Sequence, residues 1–557
     1  MTTNSGNRRA LEILGVTAIV ILLAFAGIRF ATLDSGASTP TASDTASAVG
    51  NDAQATSPSD PIAQYRKAGW IAEENAKPGT TDWHIPDDKS MWDKIQGYAD
   101  ATSIDFNESV TLHVSTAAKS WQVSAYRIGW YGGPGGRLVW RSSPQPGVNQ
   151  PKATVESVTK TWSAPWTPSL TIDTDETWPP GQYLLRLESD NGGATFVPLV
   201  IRDDGSHSDL LMQSAVATWQ AYNGWGGASI YTGNNGRADV VSFDRPYTGN
   251  GSGEFLGREF EFIWFVERVG YDVSYWTNID LHERGELALN HRGIIIPGHD
   301  EYYTVQMRTN LETARDAGVN LGFFGANNVY RRIRLENSPS GSSRKMVNYR
   351  DASRDPLNGK NPAEVTTSFR EAPNANPESS LIGNHYECNP VSADWVVGDA
   401  SVWMFEGSGF KNGDRVPKMV GNEYDRVTQG VPTPANIQVI AHSPVTCKTL
   451  NSWANSTWYS APGGAGVFSA GTFGWSPTVD AICPNGPDTN VECRVVKVTE
   501  NLLDAFSKGP AGAAHPSVSN LSKFGIPTPR VTTPSAPGTG AGSSSTVAPT
   551  SSSSIQR

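Results

Sequence analysis

Two patterns of apolar and polar positions divide this chain. Between about residues 108 and 202 they alternate over short stretches, as in Val110-Thr111-Leu112-His113-Val114, Gln122-Val123-Ser124-Ala125-Tyr126-Arg127-Ile128 and Tyr183-Leu184-Leu185-Arg186-Leu187, with Gly, Pro and Asn between. A period of two sends successive side chains to opposite faces of a strand, so the spacing predicts an antiparallel β-sandwich. From Asp209 onward the period changes. Leu210-Leu211-Met212 reads as a buried strand, followed by a glycine-rich loop, a helix over about 256–269 and a strand over 271–275. Next come the apolar run Ile294-Ile295-Ile296, a helix over about 304–317 and a strand over 319–324. Residues 402–405, 437–441 and 467–470 look like further strands, and 499–506 like a closing helix. Strands alternating with helices predict an α/β domain, a parallel sheet with helices on both faces. Residues 345–387, rich in Asn, Pro and Arg with little periodicity, read as a long insertion near the site.

The two ends follow neither pattern. Arg8-Arg9 precede an apolar run over 13–28. The run predicts a membrane anchor in preference to a cleaved signal, because the small residues of Ala24-Phe25-Ala26 lie inside it. Basic residues ahead of the run keep the N-terminus in the cytoplasm and the bulk of the chain outside, as a single-pass membrane protein or, if the run is cleaved, a secreted one. Ser, Thr, Ala, Asp and Pro dominate 34–61 and again the tail from 528. Both are too poor in large apolar groups to pack. The expected organisation is an anchor or signal over 1–33, a stalk over 34–62, the sandwich over 63–202, the α/β domain over 203–527 and a disordered tail over 528–557.

Four cysteines, Cys388, Cys447, Cys483 and Cys493, form no C-x-x-C pair. An even number in an exported chain suggests two disulfides, although four cysteines allow three pairings. Cys483 and Cys493 bracket the turn-rich Pro484-Asn485-Gly486-Pro487, which can close on itself and leave Cys388 for Cys447. Zinc is the competitor, but these spacings suit no common finger or ribbon. A net charge of −11 with no basic run longer than a pair gives a nucleic-acid partner no electrostatic footprint. Many of the 18 tryptophans stand beside Gly or Ser, as in Asn223-Gly224-Trp225-Gly226. Such residues either stack on a flat ligand or serve the core.

The chemistry concentrates at two predicted strand ends. Ile294-Ile295-Ile296 breaks at Pro297-Gly298 and releases His299, Asp300, Glu301, Tyr302 and Tyr303; the next strand ends in Gly325-Ala326-Asn327-Asn328-Val329-Tyr330. Open α/β sheets place their sites beyond the carboxyl ends of such strands. No G-x-S-x-G elbow, H-E-x-x-H pair, P-loop or dinucleotide-binding glycine fingerprint is present. The predicted topology resembles glutamine-amidotransferase-like sheets, whose nucleophilic cysteine sits on the turn after a strand. Here that turn carries Ala326-Asn327, which excludes covalent cysteine catalysis.

Acid, imidazole, amide and phenol remain, and their setting resembles a known family. Gly298-His299-Asp300-Glu301-Tyr302, Gly325-Ala326-Asn327-Asn328-Val329-Tyr330 and Thr218-Trp219-Gln220-Ala221-Tyr222-Asn223 look like the large (β) subunit of N,N-dimethylformamidase and its actinobacterial relatives. The likeness extends to Tyr126-Arg127-Ile128-Gly129-Trp130-Tyr131-Gly132-Gly133 and Gly421-Asn422-Glu423-Tyr424-Asp425-Arg426, and so covers roughly 105–506. The resemblance implies hydrolysis of a small-molecule amide at a mononuclear ferric ion, Fe(3+), held by two tyrosines and a glutamate. Carried over by motif, the glutamate is Glu301 and the tyrosines are Tyr222 and Tyr183. His299 and Asn327 fall where the family has polar pocket residues, and Glu423 is a further acid. Whether a homo-oligomer or a separate small subunit is needed stays open. Two positions depart from the family pattern: Asp300, where proline is common, and Arg331, where an aromatic follows the tyrosine. Phenolate and carboxylate are hard donors suited to a hard trivalent cation. The rival reading is non-catalytic, an anchored surface protein that binds a cell-envelope ligand through its tryptophans.

Overall fold

Period-two alternation produces two facing sheets at the start of the chain, in a computed structural model that describes residues 62–86 and 93–527. Ile95–Ala99, Ser109–Thr116 and Leu170–Asp173 form a three-stranded antiparallel sheet. The other sheet contains Gly136–Arg141, Ser120–Ile128, Gly181–Ser189 and Ala194–Ile201, and ends at the short parallel strand Ser103–Ile104. Alternate residues meet between the sheets: Val110, Leu112 and Val114 from one, and Val123, Ala125, Leu185, Leu187 and Val197 from the other. The intervening residues Tyr126, Ile128, Leu184, Phe196 and Val200 join a second, larger apolar core on the opposite face. A sheet covered on both sides explains why Tyr183-Leu184-Leu185 is apolar without a break.

The larger core surrounds a seven-stranded sheet in the order Val273–Thr277, Leu210–Ser214, Gly293–Ile296, Asn320–Phe323, Gly466–Ser469, Leu450–Ser460, Gln438–Cys447. This corrects the expected parallel-sheet, glutamine-amidotransferase-like α/β domain, because the sheet is mixed. Its first five strands run parallel, and the last two are joined to them through antiparallel pairs. Around it lie a further mixed sheet, which includes Tyr302–Thr304 and Arg331–Ser338, and the long antiparallel pair His385–Val396 and Arg415–Arg426. The reason lies in the connections. Only Lys448-Thr449 separate Gln438–Cys447 from Leu450–Ser460. Two residues close a hairpin, whereas a parallel crossover needs a dozen or more.

Other local readings change as well. Residues 402–405 do not form a strand, for Trp403–Phe405 is a single 3-10 turn with Met404 and Phe405 buried. Four apolar residues are too few for their period to decide the matter. The helix over 256–269 is two helices, Gly253–Arg258 and Phe260–Val269. They part at Glu259, whose buried carboxylate accepts bonds from Ala215 N and Trp219 Nε1. The closing helix is longer than expected, Val491–Ser507, because Asn490 caps it by accepting from Cys493 N. Within 345–387 the chain pairs Thr367–Ser368 with Arg331–Ser338 and forms the short helix Ser379–Ile382.

Cys388 is bonded to Cys447 and Cys483 to Cys493. The single-pass membrane anchor is corrected: no helix among the described residues is long and apolar enough to cross a membrane. The run over 13–28 on which that expectation rested lies outside the described residues, as do most of 34–62 and the tail from 528.

One buried ion pair links the sandwich to the larger core. Arg127 sits on the Ser120–Ile128 strand and Glu267 on the Phe260–Val269 helix, and neither side chain reaches solvent. Arg127 Nη1 and Nη2 donate to the two carboxylate oxygens at 2.9 and 2.6 Å. Tyr275 and Asn75 donate to the same carboxylate. Gly129 is required beside it, since a Cβ there would fall 2.1 Å from Glu267 Oε2. Removing one partner strands a buried charge, so Arg127→Met should cost about 3–5 kcal/mol of stability in urea unfolding. Arg127→Met with Glu267→Leu should recover part of that loss. Strictly additive losses in the double variant would show that the pair is not coupled.

Candidate functional site

The chain passes from Leu210–Ser214 to its neighbour on one side, Val273–Thr277, and then returns to its neighbour on the other, Gly293–Ile296. Beyond the carboxyl ends of strands at such a reversal lies a crevice. Helix Val216–Tyr222 leaves the first strand and carries Tyr222 at its last position, while the loop after Gly293–Ile296 carries His299, Asp300 and Glu301. Thr218 of that helix accepts a hydrogen bond from Glu301 N at 3.0 Å. On the far side Glu301 O accepts from Tyr330 N and Arg331 N at 3.0 and 2.8 Å. The glutamate backbone is therefore pinned by two neighbouring elements.

Glu301 is 1 % exposed and is the centre of a ring of polar groups. Its Oε2 accepts from Tyr231 OH at 2.6 Å and Tyr222 OH at 3.2 Å, and Tyr302 OH lies 2.8 Å from Tyr231 OH. Its Oε1 accepts from Arg331 Nε at 3.3 Å. His299 Nε2 stands 3.5 Å from Oε2 without a hydrogen bond. Burial raises the Glu301 carboxyl above the usual range, opposed by Arg331. Burial and then the Glu301 charge push both the Tyr222 and Tyr231 phenols far above theirs. Burial, helped by Arg258, holds His299 down to about 3, so its imidazole is neutral at pH 7.

Among the expected residues, the structure brings Tyr222, Glu301 and His299 into contact range and leaves Tyr183 elsewhere. Tyr183 is wholly buried in the sandwich core, its OH donating to Pro179 O at 2.7 Å and its ring 5.5 Å from Trp178. The second phenol on Glu301 belongs instead to Tyr231, which the sequence reading did not single out. It lies in a turn closed by Ser229 N donating to Thr232 O at 2.7 Å, with Ser229 Oγ accepting from Tyr231 N and Thr232 N. Its ring stacks on Tyr222 at 4.5 Å. A serine-closed turn just after the glycine-rich Asn223-Gly224-Trp225-Gly226-Gly227 was the available signal.

Asn327 and Glu423 approach from two other elements. Both are 4 % exposed. Glu423 Oε1 accepts from Asn389 Nδ2 at 2.8 Å, while Oε2 has no partner. Burial, then repulsion from Glu301, raises this carboxyl to about 7. Asn327 N donates to Asp425 Oδ1 at 2.9 Å, and its own Oδ1 is unpartnered. Asn327 and Val329 hold φ of 55° and 56°. That is a costly conformation for a β-branched residue, and such strain clusters at functional sites. Close approach of the two loops contributes to it, for a Cβ on Gly325 would fall 2.1 Å from Gly298 O. Asp300, one of the two departures noted above, works from behind. It is fully buried, and its carboxylate accepts from Gln213, Tyr303 and Asn278 at 2.7, 2.8 and 2.9 Å.

Three buried polar atoms, His299 Nε2, Asn327 Oδ1 and Glu423 Oε2, have no partners; His299 Nε2 lies 3.5 Å from the carboxylate that gathers phenol protons, and Glu423 feels its charge. Such a set fits a hard cation, which would take the place of the phenol protons and favour ionisation. Among the described residues no group of three or more His, Cys, Asp or Glu side chains could hold a metal, so a centre here would depend on tyrosine oxygens.

Residues 122–489, more than half of the chain, match a family model described as N,N-dimethylformamidase beta subunit-like, C-terminal. The matched stretch contains every residue around Glu301. No curated protein matches the sequence.

Asp425 offers a test of the electrostatics. Burial raises its carboxyl to about 8, and Oδ2 has no partner. A folded-state value above the unfolded one means that the stability it contributes is complete below the ordinary 3.8 and is lost as pH rises through 8. Asp425→Asn keeps an acceptor for Asn327 N and cannot ionise. Urea midpoints at about pH 5 and about pH 9 should therefore differ less in the variant, by on the order of a few kcal/mol of unfolding free energy. An unchanged difference would mean that Asp425 does not titrate there.

Proposed function

The chain belongs to the N,N-dimethylformamidase β-subunit-like family, and from that premise we propose that it hydrolyses the C–N bond of a small amide at a mononuclear ferric centre. The observation behind this reading is the convergence of Tyr222 and Tyr231 on one oxygen of buried Glu301, with partnerless His299 Nε2 beside it. Tyr222, Tyr231 and Glu301 would hold the ion. When bound, Fe(3+) supplies Lewis acidity, which polarises a carbonyl and lowers the pKa of water.

The chain's own residues supply the rest. Glu423, at about 7, can take a proton from the attacking water and return it to the amine nitrogen as the C–N bond breaks, leaving a carboxylic acid and an amine. His299, neutral at working pH, orients the water through Nε2 without adding charge. In this reading Asn327 donates from its side-chain amide to the developing oxyanion; its strained backbone and the bond to Asp425 support that role by restraining it before substrate arrives. Asp300 holds the loop that presents Glu301 and takes no part in the chemistry.

Metal analysis of purified protein tests this set. Tyr222→Phe, Tyr231→Phe and Glu301→Gln should each lose iron and the visible colour expected of an iron-bound phenolate, while Tyr183→Phe should keep both. His299→Ala and Asn327→Ala should keep iron and lose turnover, by about 2–4 kcal/mol for Asn327. Iron retained in Tyr231→Phe but lost in Tyr183→Phe would overturn the ligand assignment. Iron-replete protein that cleaves no amide would overturn the hydrolase and favour a binding role.

A further inference from the structure

Two guanidiniums at the rim of this centre hold hydrogen-bonding capacity that the protein does not use. The Arg331 guanidinium donates once, from Nε to Glu301 Oε1 at 3.3 Å, and its two terminal nitrogens meet no acceptor among the described residues. Arg127 shows what a purely structural arginine does in this molecule: both terminal nitrogens bond Glu267 and Nε donates to Pro180 O. Arg350 has no hydrogen bond or ion pair among the described residues at all. Its Cζ lies 4.9 Å from the centroid of the Tyr231 ring, and its backbone is held at φ 62°.

Tyr231 connects the two. Its OH donates to Glu301, its ring lies beneath Arg350, and Arg331 bonds the other oxygen of the same carboxylate. Tyr231, Arg331 and Arg350 are all half-buried, whereas Glu301 and Tyr302 are buried. Both guanidiniums thus approach one tyrosine–carboxylate pair that offers a single negative charge, and a further anion would offset the excess of positive charge. The planar fork of arginine matches a carboxylate, and stacking on tyrosine limits the freedom lost on binding.

We propose that Arg331 and Arg350 form a carboxylate-binding subsite beside the scissile amide. The substrate is then an acylated amino acid or similar anionic amide rather than a neutral alkylamide. The inference rests on the amide-hydrolase reading for the reaction, but the anion subsite can be measured separately.

The test compares kcat/KM of the iron-loaded full chain for N-formylglycine and for N-methylformamide, which lacks the carboxylate. N-formylglycine should be preferred at least tenfold. Arg350→Gln should reduce that ratio to near one, mainly by raising KM for N-formylglycine, and Arg350→Lys should restore part of it because the charge returns without the fork. Circular dichroism and iron content check that each variant is folded and loaded. Equal or better cleavage of N-methylformamide, or a ratio that survives Arg350→Gln, overturns the subsite and leaves the amide reading intact. If neither amide is cleaved, calorimetry with N-formylglycine decides. Binding at least tenfold weaker in Arg350→Gln keeps the subsite and removes the hydrolase, whereas equal binding removes the subsite.

Discussion

The bidentate pair of Arg127 and Glu267 is the constraint from which the arrangement of the two cores follows. A charge taken out of water is tolerated only with a partner and further hydrogen bonds, and this pair recruits both from separate parts of the chain. Tyr131 OH accepts from Arg127 and donates to Glu74, Arg137 pairs with Glu74, and Asn75 ties Glu267 to the backbone of Trp130 and Tyr131. Two arginines and two glutamates thus balance one another across the N-terminal helix Trp70–Asn75, a sandwich strand and a helix of the larger core. The sandwich sheet is covered on both faces because this network fixes its second face in place.

From there the constraint reaches the site through the helix that carries Glu267. Just before Phe260–Val269, Glu259 bonds Ala215 N and Trp219 Nε1, and so holds the start and middle of the helix that ends in Tyr222. Asp300 supplies the matching support for the opposite loop. Three donors converge on it from Gln213, Asn278 and Tyr303. Both loops that carry the site are thus held from behind.

Its electrostatics follow from burial more than from net charge. Low polarizability around Glu301, Glu423 and Asp425 raises all three carboxyls, while the same burial lowers His299. Glu423, at about 7, and Asp425, at about 8, therefore keep protons at a pH where free acids have lost them. A cation bound among Tyr222, Tyr231 and Glu301 would reverse that preference locally, which is how a phenol pushed above its ordinary range becomes a usable ligand.

How much of this was legible in the sequence depends on the range of the contact responsible. Ile294-Ile295-Ile296 ending at Pro297-Gly298 is a local pattern, and it marked His299 and Glu301 at a strand end because burial and chain reversal are encoded within a few residues. Asn327 was marked in the same way, and Tyr222 by the motif around it. Strand direction was less legible: Lys448-Thr449 carries no glycine or proline to announce the hairpin that makes the sheet mixed. Which second tyrosine meets Glu301 was not legible at all. Tyr183 and Tyr231 are both tyrosines near glycine, and only the fold distinguishes them. One is held in the sandwich core by Pro179 O, and the other is brought by a serine-closed turn to a carboxylate 70 residues away. By itself the sequence determined which strand ends gather acid, imidazole, amide and phenol side chains, because that is written in short-range periodicity. The tertiary structure alone decided which side chains share an oxygen, because hydrogen bonds of 2.6 Å across such separations depend on the packing of the whole core.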